Sequence, residues 1–335
     1  MDKNYCPSLS LIKFICAIGI VWLHQGEIIG NYNFPFATNG ILVELFYAIT
    51  GLLTYKHFYY QNENTENIMI YSAKKYIRLF PYSCFSILGC YFVTNLDIIL
   101  EGNIHGAIYE ARDLPLELLL LRSAVTDMTK FKIYNGILWF LSAMFIVLPF
   151  FCFLCTVWKK HALMISVFCC ELWYIGTNVN RSAQGWKGLC RAMAGLMLGV
   201  IIFHVAKCIR ENASCGGGVF KAVEILSALF IIVSLYKNYN IPRVQIVLFV
   251  LLISIVFSHR ALRLKYNMSI VKFLGDFSVM MYFAHPIAQK IAIFYLQDSS
   301  GCVLIYLFLS FVLSVLLYSF RQFIRKRNIC NILLK

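Results

Sequence analysis

Long apolar runs, broken at near-regular intervals by short polar segments, fill this chain from one end to the other. About 20 apolar residues is the length an α-helix needs to cross the hydrocarbon core of a bilayer. The runs predict ten spans, at about 9–29, 39–57, 80–100, 136–157, 162–178, 188–206, 220–237, 243–258, 273–297 and 303–322. The fifth and eighth are the shortest, so nine to eleven bounds the number. The pattern predicts an all-α polytopic membrane helix bundle of about ten transmembrane helices, a single membrane-embedded domain over residues 1–335. The first run is read as a span and not as a cleaved signal peptide, because it is long, holds a lysine and has no small-residue cleavage site. Residues 101–135 form the one long outward segment. Its run Leu114–Leu121 (LPLELLLL) is expected to lie on the membrane or dip into it.

Composition agrees with the pattern. Of the 335 residues 60% are hydrophobic and 14% charged, with a mean hydropathy of +0.71. Ordinary soluble domains hold about half apolar and a quarter charged residues. The net charge of +14 invites a nucleic-acid partner, but the charges sit in the wrong places for one. Nineteen of the 30 lysines and arginines flank the N-terminal side of the predicted topology, ten flank the opposite side, and Lys13 lies within span one. Positive charge marks the cytoplasmic face, so both termini are expected in the cytoplasm of a multi-pass cell-membrane protein. The basic tail around Arg321, Arg325, Lys326 and Arg327 suits contact with anionic membrane lipids.

Thirteen cysteines are scattered, mostly inside apolar runs, where a free thiol behaves as a small hydrophobe. Cys152 and Cys155 form a lone CxxC without a second pair or a histidine cluster, so no metal is expected. Phosphate-loop, dinucleotide and HExxH motifs are absent from the sequence.

Chemistry begins with Lys13 and His24. They are eleven residues apart in span one, about three turns, so they share a face roughly 16 Å apart along the axis. Ionisable groups at membrane depth face the bundle interior by default and mark function. Lys13 offers fixed charge, and His24 an imidazole able to move a proton near neutral pH. A second patch, Lys74, Lys75 and Arg78, falls where span three enters the membrane. Lys74 reads as an anchor. Lys75 and Arg78 are three apart on one helical face, and an arginine fork with a lysine point charge suits phosphate.

Other candidates carry competing readings. Glu44 is a candidate to orient His24, or else a residue at the wet end of span two. Glu27, one turn beyond His24, reads more readily as interfacial. His285, followed by Pro286, is either functional or a satisfied imidazole at a kink. Trp139 reads first as an interfacial belt residue. Arg191 is expected to pair with Glu171 or to snorkel outward.

These residues resemble the membrane acyltransferase family called acyltransferase 3. The resemblance rests on Lys13 with His24, on Gly40–Leu53 (GILVELFYAITGLL), on Lys75–Pro81 (KYIRLFP), on Phe273–Ser278 (FLGDFS) leading to Tyr282–Pro286 (YFAHP), and on Ile137–Leu141 (ILWFL). Their order and spacing cover nearly the whole chain. Lysine stands at 13 and 75 where the family has arginine, Thr50 where it usually has serine, and Tyr47 where it usually has phenylalanine.

The resemblance implies transfer of an acyl group, usually acetyl, from cytosolic acetyl-CoA or another acyl-CoA to a hydroxyl of an extracytoplasmic glycan or lipid-linked saccharide. It makes His24 the catalytic histidine and Lys13, Lys75 and Arg78 the donor-binding cations. Glu44 is expected to assist His24, with Trp139 and His285 as further candidates. Both a base-only role and a transient acyl-carrier role fit His24 at this level. No appended soluble domain is expected, so the bundle and the 101–135 segment would recognise the acceptor. A glycan or lipid transporter would also explain ten spans and a basic mouth, but not the Lys13–His24 register together with the Lys75–Arg78 pair.

Overall fold

The computed structural model describes residues 6–37, 39–60, 66–121, 132–176, 185–211, 217–239, 241–258, 267–296 and 301–326. Helices joined by short connections make up these residues, and no strand occurs among them. Helices fall on every predicted apolar run: α1 (Pro7–Leu23) with α2 (Gln25–Ile29), α3 (Leu42–Tyr60), α4 (Glu66–Thr94), α8 (Trp139–Val157), α9 (Ala162–Tyr174), α10 (Gly185–Glu211), α11 (Gly217–Tyr236), α12 (Pro242–Phe257), α13 (Met268–Tyr295) and α14 (Cys302–Lys326). Predicted span three ends in a separate short helix, α5 (Leu96–Leu100), and the 101–135 segment adds α6 (Ile104–Ala111) and α7 (Leu114–Leu118) among the described residues. Residues 122–131 of that segment lie outside the described residues.

Among the described residues, six stretches have the length and apolarity to cross a membrane, namely Pro7–Ile29, Asn67–Thr94, Gly136–Val157, Gly185–Glu211, Gly218–Tyr236 and Cys302–Ile324. α9 and α12 are apolar but shorter. α3 and α13 are more polar, and they are also interior helices. α3 buries Glu44, Tyr47, Thr54 and Tyr55, and α13 buries Ser278, His285 and Gln289. A helix surrounded by protein can carry polar groups that a lipid-facing one cannot.

The outer surface has the reverse composition of a soluble protein. α11 exposes Leu226, Leu229, Phe230, Ile232 and Val233, and α14 exposes Leu304, Phe308, Phe311 and Leu316. Patches of this size are rare on soluble monomers and normal against lipid. Polar side chains point inward instead, among them Arg191, Gln245, Ser254 and Ser314.

Small residues let the central helices meet. α3 packs on α10, where a Cβ on Gly51 would strike the backbone carbonyl of Leu196 and one on Gly199 would strike the backbone of α3 at Leu52. Helices in a bilayer gain little from the hydrophobic effect, so close backbone approach and dispersion hold them together. Gly275 plays the same part between α13 and α1, with Ser10 against it. α1 rests on α13, which in turn packs on α14 and α4.

Two local features differ from the sequence reading. Span one is a helix with a break: α1 stops at Leu23 and α2 starts at Gln25. His24 at the junction keeps right-handed helical torsions, and its backbone N–H donates to Ile20 O at 3.3 Å, so the register from Lys13 survives. α4 starts at Glu66, well before the apolar run at 80, so Lys75 and Arg78 lie inside a continuous helix instead of at its start. The Leu114–Leu121 run folds against the bundle. The buried Glu117 carboxylate accepts from the backbone N–H groups of Tyr134 (3.0 Å) and Asn135 (2.6 Å), while Leu116, Leu119 and Leu121 stay exposed.

Candidate active site

The helix junction at His24 aims an imidazole at its neighbours. Nδ1–H donates to Glu27 Oε1 at 3.0 Å. Gln289 of α13 donates through Nε2 to the other Glu27 oxygen at 2.9 Å and to the backbone carbonyl of His24 at 3.2 Å. With Nδ1 donating, Nε2 of the neutral ring carries the lone pair. A carboxylate behind an imidazole is the arrangement that orients a general base and stabilises it once protonated. The His24 side chain is 17% exposed and that of Glu27 46%, so a substrate can reach the pair from the rim.

His285 lies beside it, the two ring centroids 5.3 Å apart. Its Nδ1–H donates to Met281 O at 2.9 Å, and its buried Nε2 has no protein partner. Pro286, the next residue, supplies no backbone N–H to the helix. The His285 imidazole is therefore satisfied on one nitrogen only. Tyr282 continues the row, 5.9 Å from His285 between centroids, and its hydroxyl donates to Ile137 O at 2.7 Å just ahead of Trp139.

Glu44 belongs to a different cluster. The expectation that it orients His24 is corrected: its carboxylate is ion-paired with Arg191 of α10 and accepts from Tyr174 OH at 2.7 Å. Arg191 neither snorkels nor meets Glu171. It is buried, donates to Gly40 O at 3.4 Å, and lies 5.0 Å from the Trp139 ring centroid. Trp139 is half-buried at the start of α8 and stacks on this cation, so the belt reading describes only part of its surroundings. Tyr47, beside Glu44 on α3, donates to Phe140 O at 3.1 Å and bridges the cluster toward Tyr282 through the Phe140 ring.

The cations gather toward the other end of α1. Lys75 of α4 donates through Nζ to Thr54 Oγ1 of α3 at 2.7 Å and lies 4.9 Å from the Tyr71 ring centroid. Tyr71 also donates to Thr54 Oγ1, at 3.2 Å. Lys13 and Arg78 both act on Lys75 through space, so the three predicted donor-binding cations form one positive group across α1 and α4. Lys13 is half-buried, Arg78 and Lys74 exposed. Asp276 also acts on Lys13 through space, but its carboxylate is engaged by Arg321 at 2.8 Å.

Sequence reading missed Gln289, Thr54, Tyr174 and the Glu44–Arg191 pair. Gln289 had a signal, since it stands four residues after His285 and so on the same helical face. The Glu44–Arg191 pair had none, because 147 residues separate its members. No group of three or more His, Cys, Asp or Glu able to hold a metal occurs among the described residues.

None of the curated proteins and none of the solved structures matches the chain. A family profile described as an acyltransferase domain does match, over residues 7–319, a range that holds His24, the cation group, Trp139 and His285. A hydrogen-bonded histidine at one end of a membrane bundle and a cation group toward the other thus lie within a single matched domain, and the chain belongs to the acyltransferase 3 family of membrane acyltransferases.

Proposed function

We propose that this protein transfers an acyl group, acetyl first among them, from a cytosolic acyl-CoA to a hydroxyl of an extracytoplasmic or cell-surface polysaccharide, as a multi-pass protein of the cell membrane with about ten spans and both termini cytoplasmic. The observation that carries the reading is the hydrogen bond from His24 Nδ1 to the Glu27 carboxylate, which turns Nε2 away from it. A sugar hydroxyl becomes a competent nucleophile when a positioned base takes its proton as it attacks. His24 Nε2 is the free lone pair, with Glu27 and Gln289 behind it.

In the proposed reaction the acceptor oxygen bonds to the thioester carbonyl carbon while its proton passes to His24 Nε2. The carbon–sulfur bond then breaks, and the proton leaves His24 for the departing thiolate. Glu27 stabilises the imidazolium between these events. Lys75, Arg78 and Lys13 would hold the polyanionic donor by charge-assisted contacts to its phosphates. The acceptor would be a glycan or lipid-linked saccharide meeting the His24 end and the 101–135 segment.

The test is comparison of surface glycans by mass analysis from cells with the wild-type protein, the His24→Ala variant, or neither. The expected result is acyl groups on the glycan with the wild type alone. Identical glycans in all three would reject the acceptor class.

A further inference from the structure

A groove where the end of α4 meets α5 and α6 has room for a ligand, with a cavity volume of about 190 Å³. Tyr91 and Ile99 line it together with Ile104, Ala107, Ile108 and Ala111. The last four stand three or four apart on α6, so one face of that helix forms a wall. The groove lies at the His24 end of the bundle. Gln289 of α13 donates to His24 O, and six positions further along α13 Tyr295 OH donates to Val93 O of α4 at 3.0 Å, two residues past Tyr91.

The walls are apolar, and the two polar side chains at the groove are engaged with α6. Tyr91 OH donates to Ala107 O at 2.7 Å, and the Asn103 side-chain oxygen caps α6 by accepting from Gly106 N–H at 2.9 Å. A site for a saccharide would need convergent polar groups. An apolar cavity of roughly 150 Å³, by contrast, stays dry and takes a benzene-sized hydrocarbon. The size and the lining therefore suit a short length of hydrocarbon chain.

α4 shows where such a chain would come from. Phe85, Leu88 and Phe92 stand three and four apart on an exposed face, within a stretch long and apolar enough to cross a membrane. Leu96, Ile99 and Leu100 of α5 carry this exposed apolar surface on toward α6, where Ile104 and Ile108 are 68% and 64% exposed. Phe294 and Tyr295 are exposed at the same level, and aromatic residues gather where a membrane meets water. The groove thus continues the lipid-facing surface of α4 at the height where chains meet headgroups.

We propose that the groove holds a fatty acyl chain of a bilayer phospholipid from the leaflet at the His24 end, so that α5 and α6 lie in the membrane interface. Left open at that height, the apolar walls would face water, at a cost that grows with their area. A chain entering from the leaflet covers them and fixes α6 against the membrane. The inference stands apart from the acyl-transfer reading and uses none of its catalytic or donor-binding residues.

The experiment is photolabelling of the full-length protein in phosphatidylcholine nanodiscs, with a phosphatidylcholine that carries a diazirine near the carbonyl end of one chain, followed by mass mapping of the labelled residues. A parallel sample receives a water-soluble diazirine. The wild type should take lipid label on Ile99–Ala111 and on Phe92, which lies on the same surface outside the groove. Ala107→Leu with Ala111→Leu fills the groove and should lose most of the label on α6 while keeping that on Phe92. Ile104→Ser with Ile108→Ser, on exposed positions that folding does not depend on, should give the same selective loss. No lipid label on Ile99–Ala111 of the wild type, label unaltered in both variants, or capture of the water-soluble probe in its place would overturn the proposal.

Discussion

Glu27 and Glu44 show how one amino acid takes two parts. Glu27 backs the imidazole of His24, whereas Glu44 neutralises a buried arginine. Substitutions separate these parts. His24→Ala should lower transfer by about 10²–10⁴-fold, the range of a general base, with the protein still in the membrane. Glu27→Gln keeps the shape of the side chain but removes the charge that holds the imidazolium. It should cost less than His24→Ala and fall on kcat, leaving KM for the donor near wild type; a pure KM effect would remove Glu27 from this role. Glu44→Ala should act on folding instead. Removing one partner of a buried ion pair costs about 3–5 kcal/mol, so the yield of folded protein should drop. A Glu44→Ala protein as stable as the wild type, yet inactive, would return Glu44 to the chemistry. At the cation end, Lys75→Ala with Arg78→Ala should raise KM for the acyl-CoA roughly tenfold or more. Lys13→Arg should be nearly neutral and Lys13→Leu should lose transfer. Full activity of Lys13→Leu with normal topology would leave Lys13 as a snorkelling lysine.

Among the helices, apolar runs were legible because lipid imposes a simple rule: a long run must be a helix. Each predicted run carries one. The start of α4 was not legible, since Asn67–Leu79 is mixed in composition and only packing at its inner flank shows it to be helical. Nor was the break at His24, since no proline stands there and the nearby Gly26 lies inside α2; Gly30, with φ 75°, marks only the later end of α2. The site was half legible. Lys13 and His24 could be related because helical spacing links residues within one run. Partners on other helices, such as Gln289 with Glu27 or Thr54 with Lys75, depend on which helices touch, and spacing is silent on that. The α3–α10 crossing gives an element-scale prediction. Gly51→Val or Gly199→Val should force these backbones apart, costing at least the roughly 1–3 kcal/mol of an overpacked core. The check is the midpoint of thermal unfolding in detergent, where an unchanged midpoint would contradict the close approach.

For the whole molecule, polarity is arranged inside out, with apolar side chains toward lipid and a polar interior that divides by end. The His24 end holds hydrogen-bonded imidazoles and a carboxylate, while Lys13, Lys75 and Arg78 gather toward the other. A bundle so divided suits a reaction whose two substrates arrive from opposite sides of a membrane. The most direct test uses purified protein in sealed vesicles that contain a soluble glycan, with acetyl-CoA labelled on its acetyl group added outside. Molecules inserted with the cation end outward should move label onto the enclosed glycan, and the His24→Ala protein, inserted equally, should not. Label transfer by His24→Ala equal to that of the wild type would contradict the account at its centre.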